Sequence, residues 1–523
     1  MRTGSRLGPL AIAAPAPALA GLGVTAALAG LGLGAGCGDN ADTGCDPEPP
    51  QLPTAGPLRD PYEAPLADCV PGGLRDLPGR WFVAAAGAGF SYDYPRFEGS
   101  CEAGFRRSFR DDDLDASDGA TRQTWSDGTR IFIRSYLRFQ LQDSALFEYA
   151  DAFTACMRRG GTLAAHRTVF DTDRGARQVP MTGEPFAPRD PAPVGLRLVG
   201  ELGRQNGKPM PAYNLVIDGA RAIVIGPTGL DTIDVSNPAA PVHLGHHDGE
   251  YNDVRVVHGG GKTVAFAAPI QDEHVAVIDV TDPAHPTAAP DIPEYAHSLQ
   301  IQERGGATYL YLANYTNDVP RYEVTLPLLS ERTGQAHTPG PEAGIHDLTV
   351  DGDRLFVNNT REGVVALDVS GGLEAAVELG RRKSAYSHAG WIGTAGGRRV
   401  LLHGDEGMTE DGGAYLGVLD GDPASPTFMQ EIGSYRSRKQ VGIHNFELVG
   451  NKVYIAYYQD GVRVVDLSNP TAPKEVAHHP TWDESTAYGG TFEGAIGIRV
   501  VGGLIYVADL TRGLLIFEET PAT

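Results

Sequence analysis

Short apolar runs that end on an acidic residue recur through the last two thirds of the chain. The clearest three run from Gly229 to Asp234, from His274 to Asp279 and from Gly461 to Asp466. Each is followed by Ser-Asn-Pro or Thr-Asp-Pro and then by a further proline, as in Ser236-Asn237-Pro238 and Pro241. Weaker copies lie around Glu323, Asp368, Asp420 and Glu518, and the seven marker acids stand 44 to 52 residues apart. A period of that length marks repeated structural units that stack on one another. Within a unit, an apolar run of five or six residues is too short for a helix and reads as a buried strand. The Asn-Pro or Asp-Pro pair forces a turn, because the short polar side chain bonds to nearby backbone and the proline ring fixes φ.

Each marker run is preceded by two more apolar stretches, as at Asn214 to Ile217 and Ala222 to Ile225, and a short one follows the turn, as at Pro241 to Leu244. Four strands in each of seven units predict an all-β fold dominated by a seven-bladed β-propeller over residues 195–523. The seventh unit stops soon after its third strand. Gly195 to Glu201 has the post-turn character that this unit lacks and is expected to complete the last sheet, which removes an open edge.

The units resemble the LVIVD-repeat family, which reads as an apolar strand, Asp-Val-Ser-Asn-Pro and then Pro-Val. The resemblance spans about Gly195 to Glu518. It weakens in unit three, which lacks Ser-Asn-Pro, and in unit five, which carries a polar loop from Gly404 to Gly413. It implies an extracytoplasmic propeller and no particular activity, since a fold does not fix a function.

The start of the chain reads as an export signal. Arg2 and Arg6 precede an uncharged stretch from Leu7 to Gly36 that ends in Leu33-Gly34-Ala35-Gly36-Cys37. This segment resembles a bacterial lipobox, which implies a signal peptide over 1–36 and a lipid on Cys37, with Gly34 where the family pattern has leucine. Residues 37–76 read as a polar tether of the kind a lipid anchor needs. Residues 77–171 read as a small β domain, and 172–194, rich in proline, as a linker. Leu77-Pro78-Gly79-Arg80-Trp81 resembles the Gly-x-Trp opening of lipocalin-like barrels, which implies such a barrel here. Cys45, Cys69, Cys101 and Cys156 all precede the propeller and are expected to form two disulfides, with three connectivities open.

The formal net charge of −23 and the lack of a basic stripe argue against nucleic-acid binding. The acidic run from Arg110 to Gly119 lacks the glycine and glutamate of an EF-hand loop and reads as a solvated loop. Gly-x-Ser-x-Gly, His-Glu-x-x-His, P-loop and dinucleotide motifs are absent from the sequence.

One register does carry candidate chemistry. Just before the first strand, units three to six place His297, His346, His388 and His444, where the other units have Tyr213, Asn252 and Ile496. Equivalent positions of a propeller converge on the mouth of its central channel. Four imidazoles there suit copper, iron or zinc, or a polar ligand pocket. A structural role, tying each turn to a neighbouring strand, accounts for the same repetition. His403 could join such a site but reads first as a loop residue, as do the pairs His246-His247 and His478-His479. The leading expectation is a lipid-anchored binding or interaction protein of the cell envelope, on the outer membrane and facing the periplasm or cell surface, with an envelope protein or glycan as partner. The alternative is a metal-dependent enzyme, an oxidoreductase, using the four histidines.

Overall fold

The computed structural model describes residues 66–521 apart from several stretches, the longest of them 86–91, 99–105, 108–120, 408–413 and 484–491. The signal peptide, Cys37, the tether up to residue 65 and the acidic run lie outside the described residues. Among those described, residues 196–519 form seven four-stranded antiparallel sheets, besides one short two-stranded pair. Blade 1 comprises Asn214–Asp218, Arg221–Gly226, Gly229–Asp234 and Val242–Asp248. Blades 2 to 6 repeat this order, and their first strands are Tyr251–Gly259, Ser298–Arg304, Asp347–Asp351, Ser387–Ala395 and Phe446–Val449. Blade 7 takes three strands from Ala495–Val501, Leu504–Asp509 and Gly513–Glu519 and its fourth from Leu196–Leu202, which pairs antiparallel with the last of them. The ring therefore closes through residues more than three hundred positions apart. The first strands of successive blades touch in an unbroken circle that ends where it began.

The marker acids lock the turns after the third strands. Asp234 accepts a hydrogen bond from the backbone N–H of Ser236 at 2.8 Å, Asp279 from Thr281 at 2.9 Å, Asp368 from Ser370 at 2.8 Å and Asp466 from Ser468 at 2.7 Å. At Asp234, Asp368 and Asp466 the side-chain hydroxyl of the same serine, and after it this backbone bond, hold the carboxyl below its ordinary value.

The prolines have a second task between blades. A Cβ on Gly245 would lie 2.3 Å from the carbonyl oxygen of Pro283, one on Gly433 would lie 2.2 Å from that of Pro470, and one on Gly200 would lie 2.0 Å from that of Pro238. Each glycine sits beside a bulge in a fourth strand, and each proline belongs to the turn of the next blade. The turn of one blade thus seats on bare backbone of the blade before it, and Gly200 extends this joint across the closure.

The N-terminal strands form one further sheet, in which Gly79–Ala85 pairs with Gly175–Pro185 and five consecutive strands from Thr121–Ser126 onward run as a meander. Among the described residues this sheet is open between Arg106–Arg107 and Thr121–Ser126, so the barrel implied by the Gly-x-Trp segment is not closed by any described pairing. Trp81 is buried in its core with Leu74, Phe153 and Met181. The expected linker over 172–194 is corrected: Gly175–Pro185 is a strand of this sheet. Its prolines are tolerated because Pro180 pairs only with the His166 side, and Pro185 pairs only with the Trp81 side, so each has one side on which no ladder donor is needed. Beyond the strand, Phe186 packs edge-on against Trp482 of the propeller, with ring centroids 5.8 Å apart. Cys69 is joined to Cys156, 87 residues later, while Cys45 and Cys101 lie outside the described residues.

Two outcomes follow for denaturation experiments. Gly245→Ala is expected to lower propeller stability by about 1–3 kcal/mol, because the new methyl group meets backbone that must move. A Cys69→Ser/Cys156→Ser variant is expected to lose about 2–4 kcal/mol in the transition of the N-terminal domain while the propeller transition stays in place.

Candidate functional site

The closed circle of first strands fixes where the four histidines go. In blades 3, 4 and 6 the histidine backbone N–H bonds to the carbonyl of the second strand's end: His297 to Ala313 at 2.6 Å, His346 to Asn358 at 2.8 Å and His444 to Ala456 at 3.1 Å. In blade 5, His388 lies at a register shift in the Ser387–Ala395 strand. These equivalent anchors turn the rings toward one mouth of the channel. Ring centroids are separated by 4.2 Å from His297 to His346, 4.1 Å from His346 to His388 and 4.4 Å from His388 to His444. The four rings form an unbroken arc along one cavity, which Asn252, Asp253, Asp347 and Arg499 also line.

The rings differ in what they bond. The side-chain amide of Asn252 donates to the backbone oxygen of His297 at 3.0 Å, which fixes its nitrogen as the inward group, and it lies 3.2 Å from His297 Nε2. His297 Nε2 therefore accepts, and its lone pair is engaged. His444 Nδ1 lies 2.8 Å from the carbonyl oxygen of Ile496 and must donate, which leaves its Nε2 as the lone-pair nitrogen. His346 and His388 are 7 % and 3 % exposed, and the Nδ1 of each is buried with no hydrogen-bond partner. Burial holds all four imidazoles neutral. It brings His297 and His444 down to about 4 and His346 and His388 well below the ordinary imidazole value.

Glu406 completes the group. It is 4 % exposed, its Oε2 lies 3.6 Å from His388 Nε2, and its Oε1 accepts the hydroxyl hydrogen of Tyr458. Burial, with Asp405 adding to it, pushes this carboxyl up to about 8. His346, His388 and Glu406 each offer one ligand atom within 4.8 Å of the other two. Sequence reasoning missed Glu406. The available signal was positional, since it follows the second strand of blade 5 as Tyr315, Thr360 and Tyr458 follow those of blades 3, 4 and 6. Those three hold positive φ of 56°, 31° and 39° without being glycine, a conformation that costs energy and clusters at functional sites. Tyr315 packs on His297 and His346, Tyr386 on His346, and Tyr458 on His444, so tyrosines frame the mouth.

One position further along the strands a polar network fills the channel. Asn214 donates to Asp253 at 2.6 Å, Arg255 bridges Asp253 at 2.6 Å, and Ser298 donates to Asp253 at 3.1 Å and stands 2.6 Å from Asp347. Burial pushes the Asp347 carboxyl up to about 6.

His246, His247, His403, His478 and His479 are in strands, not loops. His403 is buried in Arg398–Asp405, with Nε2 3.0 Å from Ser387 Oγ, and does not join the arc. His246 and His243 both stand 2.8 Å from one carboxylate oxygen of Asp231 on the outer part of blade 1. His478 occupies the matching place on blade 6, 3.0 Å from Glu475. Polar pairs on the fourth strand recur at this place, as Glu378 with Arg381 does in blade 4, so these histidines brace their blades.

Imidazole ¹⁵N NMR tests the electrostatics. The four arc histidines are expected to stay neutral from pH 8 down to pH 5, with His297 and His444 titrating near 4. Their unfolded-state value is about 6.5, so the stability each contributes is complete above that pH and is lost as pH falls toward 4.

The family model described as the LVIVD repeat matches residues 216–248 and 444–481, which are most of blades 1 and 6. None of the curated proteins compared matches the sequence. Among solved structures the chain is similar to the WD40 β-propeller domain of Doa1, at 11% identity over 63% of this chain and 98% of that one with a TM-score of 0.44. It is similar to YCF48 bound to D1 peptide at 12% identity, over 64% and 97% of the two chains, with a TM-score of 0.40. It is also similar to BamB from Moraxella catarrhalis at 9% identity, over 74% and 97%, again with a TM-score of 0.40. Repeats of this kind closed into a ring suit a binding or interaction role. The chain therefore carries LVIVD repeats, at residues 216–248 and 444–481, within a β-propeller of seven four-stranded sheets.

Proposed function

We propose that this protein is an exported, lipid-tethered propeller of the cell envelope that binds a transition-metal ion at its channel mouth. The observation that carries the reading is the arc of His297, His346, His388 and His444, whose neighbouring ring centroids are 4.1–4.4 Å apart. Of these neutral imidazoles, His346, His388 and His444 have lone pairs to give to copper, iron or zinc, while that of His297 is taken by Asn252. The two buried Nδ1 atoms without a partner agree with this, since buried polar groups are otherwise satisfied within a fold. A bound ion would supply Lewis-acid or redox chemistry at the mouth, which is how the site would serve an oxidoreductase.

Envelope placement rests on the sequence: Arg2 and Arg6, the uncharged stretch to Gly36, Cys37 and the polar tether after it. An anchor there would present the propeller to envelope proteins and glycans.

Elemental analysis of the purified full chain tests the metal reading. Close to one equivalent of copper, iron or zinc is expected, with its loss in His346→Ala/His388→Ala at unchanged circular dichroism. A metal-free parent after reconstitution with all three ions would overturn the reading. Radiolabelled palmitate tests the anchor: label is expected in the parent and absent from Cys37→Ser, which should leave the membrane fraction. An unlabelled parent would remove the tether from the account.

A further inference from the structure

We infer that the ion is held off-centre in the arc, by His346, His388 and the carboxylate of Glu406, and that it is a divalent cation of intermediate hardness, zinc(II) or iron(II). This rests on the reading of the mouth as a metal site and names its ligand set as two imidazoles and one carboxylate.

Three observations point to this set. The first is distance. Ligands about 2.0–2.2 Å from one ion stand only slightly more than 3 Å from each other. His388 Nε2 and Glu406 Oε2 are 3.6 Å apart, and the three residues offer ligand atoms mutually within 4.8 Å. At this mouth no other set of three meets that limit among the described residues.

The second is the state of the donors. His297 already uses its Nε2 lone pair on the Asn252 amide, which also grips the His297 backbone. His297 is thereby a wall of the site. His346 and His388 are both more than nine-tenths buried, and the Nδ1 of each has no partner, while the nitrogen of His388 that faces Glu406 is its Nε2.

The third is charge. Glu406 is a carboxylate in a buried place, and among the described residues no lysine or arginine bridges it; His388 is the only basic group in range. Burial favours the protonated form of this group, and its ionised form is stable there only when it is paired with or coordinates a cation. Tyr458 holds Oε1 through its hydroxyl, which orients the carboxylate and leaves Oε2 for coordination, as outer partners of metal ligands do.

Two imidazoles and a carboxylate are the donors found around zinc with an open position and around non-haem iron(II). Such a set leaves coordination positions free. His444, whose Nε2 carries the lone pair, and the hydroxyl-bearing rings of Tyr315 and Tyr386 stand around them.

The test is calorimetric titration of the metal-free full chain with zinc(II), paired with visible absorption of the cobalt(II) form. Glu406→Gln keeps an acceptor for Tyr458, and His297→Ala removes the fourth imidazole of the arc. The expected result is one tight equivalent in the parent, an affinity loss of about 100-fold or more in Glu406→Gln and altered cobalt d–d bands, since even outer partners of a metal site are worth about 10–100-fold. His297→Ala should bind within a few-fold of the parent. Unchanged binding in Glu406→Gln, or a loss in His297→Ala as large as in Glu406→Gln, would overturn the ligand set while leaving the mouth as a metal site. Failure of the parent to bind zinc(II) or iron(II) at all would overturn both.

Discussion

The pairing of Leu196–Leu202 with Gly513–Glu519 is the interaction on which the rest depends. Without it the seventh sheet has three strands and an open edge, and blade 7 is held to blade 1 only by side-to-side packing. With it, the first strands meet in a closed circle, and one residue position of the repeat becomes one place in space. Convergence of His297, His346, His388 and His444 is thus a consequence of closure, because those residues are 42 to 56 positions apart and share no local element. The glycine–proline joints between blades set the spacing of that circle. A bare backbone at Gly245, Gly433 or Gly200 lets the next turn approach to a distance that a side chain would forbid.

Nearly all of the propeller was legible in the sequence, because each level of signal agreed with the others. Apolar runs gave the strands, Asp-Ser-Asn-Pro gave the turns, and the period gave the blades. The orphan strand at Gly195 gave the closure. Even unit three, which lacks Ser-Asn-Pro, folds as a blade, since Asp318–Glu323 still pairs on both sides. The N-terminal region was less legible. Proline content at 180–193 outweighed the strand character of Gly175–Pro185, whose prolines survive only because each needs one paired side. That condition belongs to the neighbours of the strand and is not written in it.

The same distinction divides the site. The histidines were legible because they repeat. Glu406 was not, because its importance comes from burial beside His388 and from the Tyr458 hydroxyl, 52 residues later. His403, three residues earlier, is equally buried but satisfied by Ser387, which separates a structural histidine from a candidate ligand. The positive φ at Tyr315, Thr360 and Tyr458 adds a physical mark: strained backbone is retained on this rim, where the tyrosines pack against the imidazoles. Orphaned imidazole nitrogens, a buried carboxylate and strained backbone therefore coincide at one mouth of the channel.

Anomalous diffraction at the zinc edge from crystals of the zinc-loaded protein tests the central claim most directly. The account predicts one strong peak at the channel mouth, about 2.0–2.2 Å from a nitrogen of His346, a nitrogen of His388 and an oxygen of Glu406. A peak confined to surface histidines such as His246 or His478, or a mouth without a peak, would contradict it.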